Sequence, residues 1–373
     1  MKKISFLILM LLGICFMMAG CETKEAYHTS ILTDKETETS AIPVMEFQKA
    51  EDEEDSYSVL EETLEIPDGW ADGDISANDQ SIFYIAAEYQ PMGNSMLKAR
   101  IMKYDMESES TSVCFEHEND AGFYLNELEA TSEYLFWVHT ENENKKIECL
   151  NLAEGEISVV AETPFNDAIL LQSDENFLTW YEGTGEAAAL WAYNINNRKT
   201  FLVSDQIVRG HSYTRAQINH GITWFVSQQS GQKWVHIYDL NQKKELEKIQ
   251  MEADMTIFQA SADEQFFLYS ILPQDRMDYR IFVYDYVNEN LFLANTHDDA
   301  YVFSFHYFDK KIFINERNTN SIVIRDIEHM TEQAFMDEQD HVYILASKTA
   351  GDGYVALDSL DWEHPRILYL SKK

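Results

Sequence analysis

The stretch Ala260-Ser261-Ala262-Asp263-Glu264-Gln265-Phe266-Phe267-Leu268-Tyr269, continued by Ile281-Phe282-Val283-Tyr284-Asp285, is one complete phrase of a chain that repeats itself. A run of small residues leads into an Asp-Glu-Gln turn, the turn into an aromatic run, and a loop into an apolar run ending in Tyr-Asp. The closing mark recurs at Tyr104-Asp105, Leu150-Asn151, Tyr193-Asn194, Tyr238-Asp239, Tyr284-Asp285 and Arg325-Asp326, with Leu368-Tyr369 ending the series. Successive marks lie 41 to 46 residues apart. Between them stand short hydrophobic runs such as Ile82-Phe83-Tyr84-Ile85, Tyr134-Leu135-Phe136-Trp137 and Ile222-Thr223-Trp224-Phe225. Aromatic and β-branched runs of this length fit strands covered on both faces. The polar turns before them, among them Asn78-Asp79-Gln80, Asn219-His220-Gly221 and Asp309-Lys310, carry the residues that tight hairpins require.

A period of 40 to 50 residues built from strands and turns is the mark of a propeller blade. Residues 57–373 hold seven such units, which predicts an all-β, seven-bladed β-propeller; six or eight blades remain open because repeat boundaries shift by several residues. The chain stops after Arg366-Ile367-Leu368-Tyr369-Leu370, the third strand of its unit, while Ser58 to Ile66 reads as a strand with no partners before it. The N-terminal strand is therefore expected to complete the last blade and remove an exposed edge. With its Ser-x-Asp-like turn, aromatic strand and final Tyr-Asp, the phrase at 260–285 resembles the TolB-type and WD-repeat-type propeller blades of bacterial envelope proteins. It departs from them in lacking a Pro-Asp-Gly turn and a Trp-Asp pair. The resemblance implies a fold; binding, scaffolding and catalysis all occur on it.

The first 20 residues read as a secretory signal: Met1-Lys2-Lys3 is a basic head and Ile4 to Met18 an apolar run too short to span a bilayer comfortably. Met18-Ala19-Gly20-Cys21 resembles the bacterial lipobox, which implies that Cys21 is diacylated and becomes the first mature residue. Two acyl chains anchor a protein stably to a membrane surface. Residues 21–56 follow with eleven acidic residues against Lys24, Lys35 and Lys49, and are expected to form a disordered, self-repelling tether. The expected location is the extracytoplasmic face of a bacterial cell membrane.

The formal charge of −37 opposes binding to nucleic acid. Cys114 and Cys149, the cysteines outside the signal and the lipobox, are expected to be buried free thiols, since their strands make a disulfide doubtful. No zinc-ligand spacing, Gly-x-Ser-x-Gly elbow, His-Glu-x-x-His pair or phosphate-cradling loop is present, so no catalytic residue, metal or cofactor is assigned. Candidate ligand residues are sought in loops at one mouth of the propeller channel. They are Trp70 and Trp362, placed in loops beside acidic residues, with Arg209, His211, Tyr213, Arg215 and Arg276. Tryptophan offers a platform for a sugar ring, and arginine with tyrosine suits a carboxylate; the alternative is that the arginines pair with neighbouring carboxylates. The leading expectation is a lipid-anchored binding or scaffold module for a protein or envelope polymer. Its rival is a glycan hydrolase or lyase using carboxylates at the mouth.

Overall fold

The computed structural model describes residues 31–32, 42–50, 57–63, 71–90, 95–142, 144–163, 169–183, 188–208, 215–252, 255–271, 280–294, 302–316, 321–335, 344–350, 353–358 and 366–372. Among them every regular element is a strand. The repeated unit is an antiparallel meander of four strands, and its hairpins explain the sequence marks. In Ile257–Ala262, Phe266–Ile271, Arg280–Asp285 and Asn290–Leu293 the four neighbours pair in chain order. The unit at Val302–Phe308, Lys311–Glu316, Ser321–Asp326 and Thr331–Phe335 repeats this order.

The Asp or Asn of each closing mark caps the hairpin between third and fourth strands. Oδ1 of Asp239 accepts from the N–H groups of Asn241 at 2.7 Å and Gln242 at 3.0 Å. Asn151, Asp285 and Asp326 bond in the same way to the amides two and three residues on; Asp105 and Asn194 reach the third. Four residues after each mark the chain turns left-handed: Glu109, Gly155, Arg198, Lys243, Glu289 and Met330 have φ between 49° and 71°. The repeat therefore records a turn geometry. Turns between first and second strands use positive φ at both central residues, at His220-Gly221 and Asp309-Lys310, as two-residue type I′ hairpins do.

Two larger sheets join neighbouring units. Ser110–Ala130 is a single 21-residue strand whose first part pairs Met96–Asp105 and whose last part pairs Tyr134–Glu141, giving a seven-stranded sheet from Ala71–Ala77 to Ile157–Thr163. A single pair, Ile207 with Ser227, links two further units within an eight-stranded sheet. The N-terminal strand Tyr57–Thr63 pairs antiparallel with Arg366–Lys372 along its whole length, the pairing expected from the sequence.

The core lies between consecutive units. Phe136, Cys149 and Leu178 fill one seam, Trp224, Ile257 and Phe267 another, and Leu268, Phe305 and Ile314 a third. A further cluster sets Ile75, Ile82 and Tyr84 near the N-terminus against Val355 and Tyr369 near the C-terminus. Trp137, Trp180 and Trp224 are fully buried, as their second-strand positions require. Cys149 is buried and Cys114 half-buried, and both are free thiols. Burial pushes their pKa values up, to about 12 and about 11 respectively. Cys114 falls short of the expected burial because it lies on the outermost strand of its unit, where its Sγ bonds the Ile101 carbonyl.

The acidic segment contributes structure. Ile31–Leu32 pairs parallel with Gln250 and Met251, Val44 with Leu293, and Gln48–Lys49 with Thr331 and Glu332. Three outer strands thus gain a short extra neighbour. Met45 N–H donates to the Leu293 carbonyl at 2.8 Å and Gln48 N–H to the Met330 carbonyl at 2.9 Å. Ile42, Met45 and Phe47 turn apolar side chains onto the clusters beneath, and Arg325 lies over the Phe47 ring at 5.3 Å.

Candidate functional site

The first strands of successive units touch one another and carry polar side chains between them. Ala71–Ala77 meets both the end of Ser110–Ala130 and Ile344–Ala350, and Val302–Phe308 meets Ile257–Ala262 and Ile344–Ala350. Bonds between neighbours include Ala130 N–H to Ser76 Oγ at 3.0 Å and Phe305 N–H to Gln259 Oε1 at 3.1 Å. On this inner surface stands Arg215, with its Nη1 bonded to Glu127 Oε2 and, at 3.1 Å, to the Leu171 carbonyl. Burial would lower the guanidinium pKa, but attraction to Glu127, Asp74 and Glu129 outweighs it and holds the group above its ordinary value.

Those carboxylates are themselves anchored. Asp74 accepts from the amides of Ile75 and Leu128, each at 2.9 Å, and Glu129 from Gln172 Nε2 and from the amide and hydroxyl of Ser173. Glu127 sits at a left-handed φ of 61°, a backbone bend that aims its side chain at Arg215. Three acids from two first strands therefore converge on one cation. Arg215 was a candidate for holding a ligand's carboxylate, and here its guanidinium engages an internal one. Trp70, Arg209, His211, Tyr213, Arg276, Trp362 and Cys21 lie outside the described residues.

Two histidine clusters went unread in the sequence. In the first, Ser227 Oγ lies 2.7 Å from His236 Nε2, and His236 Nδ1 bonds Glu245. A serine, histidine and acid in this order resemble a nucleophilic triad. Yet Ser227 is 3% exposed and the His236 ring stacks under Phe225 at 4.6 Å. The chain of bonds crosses three neighbouring strands and braces them rather than presenting a hydroxyl to solvent.

The second cluster forms where Ser110–Ala130 passes from one unit to the next. Ring or carboxylate ligand atoms of His117, His139 and Glu141 all lie within 4.8 Å of one another. His139 is 8% exposed, and its Nδ1 is 3.2 Å from Glu148 Oε2, which also accepts from Trp137 Nε1 at 2.9 Å. Burial would raise the Glu148 pKa, but the bonds from His139 and Trp137 and the charge of Lys146 hold it below its ordinary value. Burial and the neighbouring His139 keep His117 below the usual histidine range, against the pull of Glu141 and Glu148. The set has the composition of a metal site. The signal available beforehand was His139-Thr140-Glu141, because residues two apart on a strand share a face.

No family model matches the chain, and no curated protein matches it. Solved structures do. The β-propeller domain of the Trilobed protease from Pyrococcus furiosus superposes with a TM-score of 0.56 at 11% identity, covering 81% of this chain and 93% of that one. An oligogalacturonate lyase in complex with manganese gives 0.52 at 8% identity, covering 86% and 98%. An uncharacterized protein from Listeria monocytogenes gives 0.51 at 11% identity, covering 81% and 98%. Identities this low speak to architecture alone, and the chain has a β-propeller fold.

Proposed function

We propose that the chain is a seven-bladed propeller carried on the outer face of a bacterial membrane by lipid on Cys21, where it binds a protein or envelope polymer. Seven four-strand units are supported by the closing marks and by the division of the two large sheets at Ser110–Ala130 and at Ile207. Ring closure is supported by the pairing of Tyr57–Thr63 with Arg366–Lys372 and by the cluster joining Ile75 and Tyr84 to Val355 and Tyr369.

One observation carries the binding reading: Arg215 bonds Glu127, and Asp74 and Glu129 accept from nearby backbone amides, as groups held for structure do. An acid–base pair at work needs a carboxyl free to take up and release a proton. The rival reading, a glycan hydrolase or lyase, is favoured by the same convergence of an arginine with Asp74, Glu127 and Glu129. The two separate in one experiment. The full-length chain in detergent is used to capture partners from envelope extract and is incubated with polyuronates and peptidoglycan. Enrichment of a defined partner with no turnover is expected; cleavage of a glycan that Glu127→Gln abolishes would establish the rival.

A further inference from the structure

We propose that His117, His139 and Glu141 form a binding site for one divalent transition-metal ion, with zinc the best match. Nε2 of His117 and Nε2 of His139 are both buried without a hydrogen-bond partner. A buried ring nitrogen left unpaired costs stability, so two of them in a cluster that also holds the Glu141 carboxylate call for a shared partner. The rings meet edge to face, 4.7 Å between centroids, so neither nitrogen satisfies the other.

The surrounding groups prepare each ligand. The Glu148 carboxylate accepts from Nδ1 of His139, which places the proton there and leaves the lone pair on Nε2. A carboxylate behind a histidine is the arrangement that orients metal-bound imidazoles and raises their basicity. Glu141 is gripped through Oε1 by Nδ2 of Asn119, which frees Oε2 as the ligand. Asn119 in turn fixes the bend beside the site, because its Oδ1 accepts from the Ala121 amide at 2.9 Å. At Gly122, φ is +86° and an added Cβ would come within 2.9 Å of Ser95 and Gln90, so the bend has little latitude. The Phe123 ring packs edge-on against His117 at 4.5 Å and limits its rotation.

The donor set selects the ion. Two imidazoles and a carboxylate suit zinc and neighbouring first-row ions, whereas calcium and magnesium prefer all-oxygen shells. A tetrahedral zinc with bonds of about 2.0–2.1 Å needs donors roughly 3.3 Å apart, so the three side chains, whose ligand atoms lie within 4.8 Å of one another, would draw together around the ion. Three protein ligands leave a fourth position. His117 and Glu141 are only half-buried, which gives that position access to water or to a donor from a bound partner.

The test uses the full-length chain in detergent, stripped with a chelator and titrated with zinc(II) against a chromophoric competitor, then with cobalt(II). One equivalent of zinc is expected to bind far more tightly than the weak population on the acidic surface. Cobalt should show the visible absorption of a low-symmetry, nitrogen-ligated ion. Glu141→Gln and His117→Asn should remove the tight equivalent, and Glu148→Gln, a positioning change, should weaken it ten- to a hundredfold. X-ray absorption on zinc-loaded wild-type protein keeps the test independent of how the variants fold; two imidazoles with one oxygen ligand from the protein are expected. Zinc affinity unchanged in His117→Asn, or an all-oxygen shell in the wild type, would overturn the proposal.

Discussion

At the scale of single residues, the repeat is maintained by aspartate and asparagine acting twice. Within a turn, Asp263 Oδ1 accepts from the amides of Gln265 and Phe266 at 2.8 and 2.7 Å; across the seam, Oδ2 accepts from Tyr307 Oη at 2.6 Å and pairs with Lys310. Asp174 repeats the device, holding Asn176 and Phe177 with Oδ1 and the Gly221 amide with Oδ2, and Asn78 reaches the Thr131 carbonyl through Nδ2. These side chains explain why the turns read so clearly in sequence: the same oxygen that closes a hairpin requires Asp or Asn at that position. Less visible was the left-handed residue four places after each closing mark. Only Gly155 among the six is glycine, so nothing in composition announces the others. A left-handed L-residue carries a penalty of roughly 1–2 kcal/mol, part of which glycine returns through its larger unfolded entropy. Glu109→Gly should therefore stabilise the protein by up to about 1 kcal/mol. Gly155→Ala, where no atom lies within 4 Å of the added methyl, should cost about 1 kcal/mol through backbone angle alone. Denaturant midpoints of the two variants check both signs.

At the scale of elements, the N-terminal segment does two unequal jobs. Tyr57–Thr63 is a full member of a sheet: Tyr57 is 6% exposed and sets its ring edge-on to Phe313 at 5.9 Å, while its strand covers the last edge. That role was legible because a strand-like run stood unpartnered at one end and a three-strand unit at the other. The preceding segment was not, for a physical reason. Its hold on the outer strands comes from backbone bonds, which every sequence can make, and from three apolar side chains, too few to offset eleven acids in any average over the segment. The alternation Ile42, Val44, with Met45 and Phe47 beyond, was the available trace. Unequal roles predict unequal responses. Tyr57→Ala should lower global stability by about 3 kcal/mol, as removal of a buried aromatic does. Phe47→Ala, which removes a half-buried ring and its contact with Arg325, should cost about 1–2 kcal/mol locally. Hydrogen exchange distinguishes them: amides 45–50 should lose protection in the second variant while those of the second strands keep theirs.

At the scale of the whole molecule, charge, anchor and architecture bear on one another. A net charge of −37 along the chain opposes approach to anionic lipid, so a chain this acidic has no electrostatic hold on a membrane. Residence on a membrane would then need another attachment, and the one proposed above is lipid on Cys21, which follows Met18-Ala19-Gly20. Each acyl chain contributes about 0.8 kcal/mol per buried methylene, and two chains suffice for stable attachment where one is marginal. The same repulsion makes a sharp test possible, because no compensating attraction would retain a delipidated protein. Cys21→Ser expressed in a bacterium that processes lipoproteins should move the protein from the membrane fraction to the soluble fraction, and the shift should be complete at physiological salt. Persistence of the variant on membranes would place the hold in some other segment, and the anchor would have to be sought there. The arrangement also bears on the partner. Cationic partners, and cations such as the one proposed for His117 and His139, meet an attractive field at long range from so acidic a chain.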